Sequence, residues 1–176
     1  AVDNGAQIIN ISLVGTDTAE AHQQVKEAIK YAYKKGVAIF AAAGNNMESL
    51  ADYSHYPICA DAGESEQWIF GVSAIVENHH LAIFSNTGGG CVDITAPGVE
   101  VTSTVRYSPT NGLNKLVSGG WRGTSFATPL VSGVAALLKG LNHAWQAKEI
   151  YQALTSSTHH TSGQDEVVYA RLFGAG

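Results

Sequence analysis

Charge is scarce in this chain, and cysteine, proline and methionine are scarcer still. Only 14% of the 176 residues are charged, 10 Lys and Arg against 15 Asp and Glu. A formal net charge of −5 with no run of Lys or Arg argues against the basic surface that nucleic acid or an anionic membrane selects. No apolar stretch approaches the roughly 20 residues of a membrane span. The 19 glycines and 7 histidines are too scattered for a repeat or a low-complexity segment. The one methionine is Met47, so residue 1 is not a translation start, and the place of a leader peptide lies outside the readable sequence. The expectation is one partial domain over residues 1–176, the C-terminal part of something longer. The only cysteines, Cys59 and Cys91, would be inert core thiols in a cytosolic protein.

What is present is a rhythm of strands and helices. "AQIINISLVG" carries a β-branched run from Ile8 to Ile11 and reads as a buried strand. In "TDTAEAHQQVKEAIKYAYKKG", Ala21, Val25, Ala28, Ile29 and Ala32 form one apolar stripe. Asp17 with Glu20 is a capping-box pattern, and Gly36 supplies the stop. "VAIFAAAGN" reads as a second buried strand, which makes a right-handed βαβ unit. Apolar runs at 68–76 and 92–96, an uncharged helix after Gly123, a shorter helix at 147–154 and a polar loop at 155–164 complete the pattern. The expected fold is α/β, a doubly wound parallel sheet with helices on both faces. Ligands in such sheets bind beyond the carboxyl ends of the strands, here the loops after Ser12 and Ala43.

Ser125 stands at the mouth of that uncharged helix, in "RGTSFATPLVSGVAALL". A serine there is by default a cap for orphan N–H groups. Pro129, however, fits only near a first turn, and the absence of charge from Gly123 to Leu138 implies a helix packed closely on all sides. A hydroxyl carried by such a helix to the ligand edge is well mounted as a nucleophile, with the helix dipole favouring an oxyanion beside it.

"GTSFATPLVSGVAALL" resembles the active-serine segment of the subtilisin-like serine proteases, G-T-S-x-A-x-P-x-V-x-G, with Leu130 where a histidine is usual. "VAIFAAAGN", "IINISL", "HYP", "IFGVSAI", "FSNTG" and "VDITAPG" follow the same family's order. The resemblance implies Ser125 as nucleophile and the Asn45 amide as donor to the oxyanion. It implies Ser12, Leu13, Val14 and Gly15 as an edge strand that pairs with an extended protein or peptide substrate. Ala42, Ala43 and Gly44 would wall the pocket for the residue before the cleaved bond, and Thr124 would also lie against substrate. Val14 departs from the glycine more usual there. The "GCVD" cysteine resembles that of proteinase K-like members, which implies a Cys59–Cys91 disulfide and an oxidising, extracellular setting. Asp93 is either a solvated surface aspartate or, by the same resemblance, a carboxylate that holds Ca²⁺ with loop carbonyls. The chemistry itself requires no cofactor.

A base is missing from this set. A serine nucleophile needs a histidine held by a carboxylate, and H-G-T-H-x-x-G occurs nowhere in the chain. "VDNG" at Asp3 imitates the family's aspartate motif, but Ile8 follows too soon for a histidine block. His79–His80 and His159–His160 read as solvated loop residues. The resemblance therefore implies a serine endopeptidase whose Asp and His lie upstream, in the N-terminal part of the same domain, and a chain that is inactive alone. The alternatives are a non-catalytic peptide-binding relative and the C-terminal piece of a nicked protease.

Overall fold

In a computed structural model, which describes residues 1–15, 19–88 and 90–158, four parallel strands lie side by side. They are β1 (Ile8–Ile11), β2 (Ala38–Ala42), β3 (Phe70–Ile75) and β4 (Ile94–Pro97), neighbours in that order. The registers Ile9↔Ile39, Phe40↔Phe70 and Val72↔Ile94 fix the sheet. Three helices cover it: α1 (Ala19–Lys34), α2 (Thr124–Leu141) and α3 (Ala147–Ser156). Asp17 and the 159–160 histidine pair fall outside the described residues, as does most of the expected 155–164 loop, whose first two residues belong to α3.

Successive side chains of a strand point opposite ways, and across β2 and β3 both faces are buried. Phe40, Phe70, Val72 and Ala74 pack with Ala127 and Val131 of α2 and Ile150 and Leu154 of α3. Ile39, Ala41 and Ala43 pack on the other face with Ile29 and Ala32 of α1 and with Leu50, Ile58 and Trp68. This is the α/β sheet with helices on both faces that the apolar runs predict. Ile39 lies just before the β2–β3 ladder begins, and the buried Tyr151 hydroxyl supplies the missing partner. It accepts from Ile39 N at 2.7 Å and lies 3.0 Å from Ile39 O.

Cys59 and Cys91 are bridged, with Cα atoms 5.0 Å apart. Closing a loop of 32 residues is worth about 3.5 kcal/mol in the chain-entropy account. The bridge draws the chain against β3, where a β-carbon on Gly71 would lie 1.8 Å from the Cys91 carbonyl oxygen. No other residue fits there.

Three features differ from expectation. A hairpin of β5 (Val101–Thr104) and β6 (Val117–Trp121) has no counterpart in the predicted elements. Its strands are mostly exposed, so they lack the apolar run by which a buried strand is recognised. Helix α2 is not packed on all sides. Ala127, Val131 and Ala135 are buried, whereas Leu130, Val134, Leu137 and Leu141 are exposed. An uncharged sequence records what a surface can bury, and nothing among the described residues lies over that face. By length and composition α2 would also pass as a membrane-crossing helix, which the opening count of apolar stretches missed because Gly, Ser and Thr interrupt it. It nonetheless lies against all four strands of the parallel sheet.

Candidate active site

The site forms where the N-terminus of α2 meets the carboxyl ends of β1 and β2. Gly123 is the residue before the helix, Thr124 opens it and Ser125 is second. The Ser125 side chain is therefore not a cap. Its Oγ donates to the Ser12 carbonyl at 3.2 Å, and Ser12 Oγ donates back to the Ser125 carbonyl at 2.9 Å.

Pro129 makes that reciprocal pair possible. It lies one turn inside α2 rather than in the first turn, where residue 129 would normally donate its N–H to the carbonyl of residue 125. Proline has no N–H to give. The Ser125 carbonyl takes the Ser12 hydroxyl instead, so a helix defect becomes a tie between the serine and the edge strand. Asn10 extends the tie, donating to Ser12 Oγ at 2.9 Å while its Oδ1 accepts from Ser132 Oγ at 3.1 Å.

Asn45 leaves β2 in the loop facing this helix end. Its Oδ1 accepts from Thr124 N at 2.9 Å and Thr124 Oγ1 at 3.1 Å. A backbone N–H only donates, so the atom facing it is the amide oxygen, and the NH₂ group is left pointing elsewhere. That NH₂ lies beside Gly123, 3.3 Å from where a β-carbon would stand. Thr124 itself has no exposed surface. It accepts from Gly44 N at 3.1 Å and braces Asn45 from behind. The first turn of α2 carries no acidic residue, so its positive end is unopposed where an oxyanion would form.

The two expected substrate walls also meet. Leu13 is 75% exposed, and Gly15 pairs with Tyr56 across an antiparallel bridge, N to O at 2.8 Å. Ala42, Ala43 and Gly44 are buried. Gly44 has φ +102°, and a β-carbon on it would stand 3.6 Å from Val14 Cγ2 and 2.5 Å from Asn86 Nδ2. The valine thus reaches across toward the opposite wall. Asn86 had no role in the sequence reading. Its only signal was its place in "FSNTG", one of the blocks on which the resemblance rests.

No described histidine is bonded to Ser125. His22 stacks on Tyr56, with ring centroids 3.9 Å apart. His55 is buried and paired with Glu48 at 2.6 Å, and His79, His80 and His143 are exposed. Asp3 accepts from Tyr31 OH at 2.6 Å.

Asp93 lies far along the sheet from this serine, in a cleft lined by Asp61, Glu64, Glu66, Gln67 and Ile69. Its Oδ2 accepts from Gly71 N at 2.6 Å. Burial pushes its carboxyl up to about 8, against that bond and helped by the charge of Asp61. Asp61 is likewise raised by burial, although Trp68 N and Ile69 N donate to it.

Comparison with known proteins gives the family and the fold. A sequence model described as the subtilase family matches residues 1–176. The chain is 36% identical over 172 residues to a thermophilic serine proteinase of Bacillus sp. (strain AK1), covering 93% of this chain and 35% of that one. It is 35% identical over 158 residues to subtilisin BL of Lederbergia lenta, covering 89% and 51%. A solved cold-adapted subtilisin-like serine proteinase superposes with TM-score 0.71 at 28% identity, covering 90% of this chain and 50% of its own. The chain thus spans about a third to a half of the length of these relatives.

Proposed function

The chain belongs to the subtilase family, and on that footing we propose that it supplies the nucleophile and oxyanion side of a serine endopeptidase active site. The observation that carries this reading is the fixing of Asn45 by Thr124, the residue next to Ser125. One helix turn holds both the attacking hydroxyl and the donor for the charge that its attack creates. A module that only bound peptides would need neither group held in this way.

An extended peptide would pair with Ser12–Gly15 as an added strand, its scissile carbonyl facing Ser125 Oγ. As attack proceeds, charge develops on the carbonyl oxygen, and the Asn45 NH₂ and the α2 dipole oppose it. The hydroxyl proton now rests on the Ser12 carbonyl, which is no base. The imidazole that removes it, with its carboxylate, belongs in this reading to an upstream part of the same protease domain. That part would also cover the open face of α2. The protein would work outside the cell, the setting in which a disulfide persists.

The Asp93 cleft suits a structural Ca²⁺, which takes oxygen ligands and would restore the charged form that burial opposes. Among the described residues no three His, Cys, Asp or Glu side chains converge. Asp93, with Asp61 beside it, would therefore share the ion with backbone oxygens and water.

The test is substitution in the full-length protein. Ser125→Ala is expected to remove peptide hydrolysis while leaving binding of a peptide inhibitor largely intact. Hydrolysis retained by that variant would exclude Ser125 as nucleophile.

A further inference from the structure

Resting on the reading of Asn45 as oxyanion donor, we propose that Asn86 is the residue that positions it. Thr124 fixes the Asn45 amide, but nothing in residues 43–48 fixes the backbone that carries it. Met47 in that turn has φ 59°, a left-handed conformation that a side chain adopts at a cost. The turn needs an external hold.

Asn86 is that hold. Its side chain has no exposed surface. Its Nδ2 donates to the Ala43 carbonyl at 3.0 Å, and its Oδ1 accepts from Asn46 N at 2.9 Å and Glu48 N at 3.0 Å. Its own backbone N donates to the Gly44 carbonyl at 3.0 Å. These four bonds fall on both sides of Asn45 in sequence, and two of them span Met47. The Asn86 carbonyl accepts from Ser73 Oγ at 2.7 Å, which ties the clasp to β3. Gly44 completes the fit, since any β-carbon there would strike the Asn86 amide.

A buried amide that satisfies a loop could be only a structural fastening. The distinction lies in what is lost with it. If Asn86 acts through Asn45, its removal costs transition-state stabilisation and nothing once Asn45 is gone. A structural fastening would instead multiply its cost in either background.

The experiment is a double-mutant cycle in the full-length protein with Asn45→Ala and Asn86→Asp. The aspartate keeps both acceptor bonds but sets a carboxylate oxygen against the Ala43 carbonyl. Asn86→Ser runs the same cycle should the aspartate variant not fold. Asn45→Ala is expected to lower kcat roughly 10²–10³-fold, a range taken from subtilisin itself. Asn86→Asp is expected to lower kcat about tenfold or more by displacing the donor, with KM little changed. Added to Asn45→Ala it should cost less than about a further twofold.

Equal losses from Asn86→Asp in both backgrounds, or a loss confined to KM, would overturn the positioning role while leaving Asn45 as donor. An unchanged kcat in Asn45→Ala would overturn the reading beneath it, and the positioning role with it.

Discussion

The two flanks of the sheet are finished to different degrees. From β2 to β4 each face is covered, and Phe40, Phe70 and Val72 have no exposed surface. At β1 the coverage stops. An apolar cleft of about 700 Å³ opens between β1 and α1, lined by Val2, Ile9, Ile11, Val25 and Ile29 among others. Across the sheet from α1, the outer face of α2 is also bare among the described residues, with Leu137 71% and Leu141 86% exposed. Ser125 stands on the border, held by α2 and touching the end of β1 through Ser12. The comparison shows a site whose buried polar groups are closely satisfied beside a hydrophobic surface that is not. On the proposed reading, one upstream segment would supply both the base and cover for these surfaces.

Stability measurements can break this comparison. Phe70→Ala removes a fully buried ring and should cost about 3–5 kcal/mol. Leu137→Ala in the full-length protein should cost about 2–5 kcal/mol if the upstream part covers α2. A value within about ±0.5 kcal/mol, as for an open surface position, would show that this face stays bare and that the two flanks are unlike in the whole protein. Denaturant midpoints of the two variants against the parent read the difference.

A pH-dependent effect sharpens the account of the covered flank. The folded Asp93 carboxyl is raised from an ordinary 3.8 to about 8. Between those values the folded chain holds a proton that the unfolded chain has released. The stabilising contribution is thus present at low pH and lost as pH rises toward 8. Asp93→Asn should flatten that decline in thermal midpoint between about pH 4 and 8. Ca²⁺ should raise the midpoint of the parent near pH 8 more than that of the variant. Identical pH slopes in both proteins would remove Asp93 from the account.

What was legible in the sequence follows from what kind of force made each part. Strand β2 is visible as an unbroken apolar run because it is buried on both faces, and helices α1 and α3 because one-sided burial imposes a period on which Ile29, Ala32 and Ile150 fall. Hairpin β5–β6 is not, since exposed strands leave no apolar trace. Ser125 and Asn45 were found by resemblance, and the hydrogen bonds that hold them were beyond it. Thr124 was expected against substrate and lies buried behind Asn45. Asn86 clasps a loop 40 residues away in sequence, and no local pattern announces a buried amide of that kind. Pro129 was read as a mark of a helix start. Its effect is felt four residues earlier, at a carbonyl that a strand then captures.

The central claim is that this chain holds a nucleophile and an oxyanion donor without a base. It is tested most directly by comparing fluorophosphonate labelling of the 176-residue chain with that of the full-length protein. Serine at its free pKa is a weak nucleophile, and an oxyanion hole without its base leaves only about 10³–10⁴-fold catalysis over water. The account predicts rapid labelling of the full-length protein, lost in Ser125→Ala, and no comparable labelling of the chain alone. Rapid, Ser125-dependent labelling of the isolated chain would place a base within residues 1–176 and contradict it.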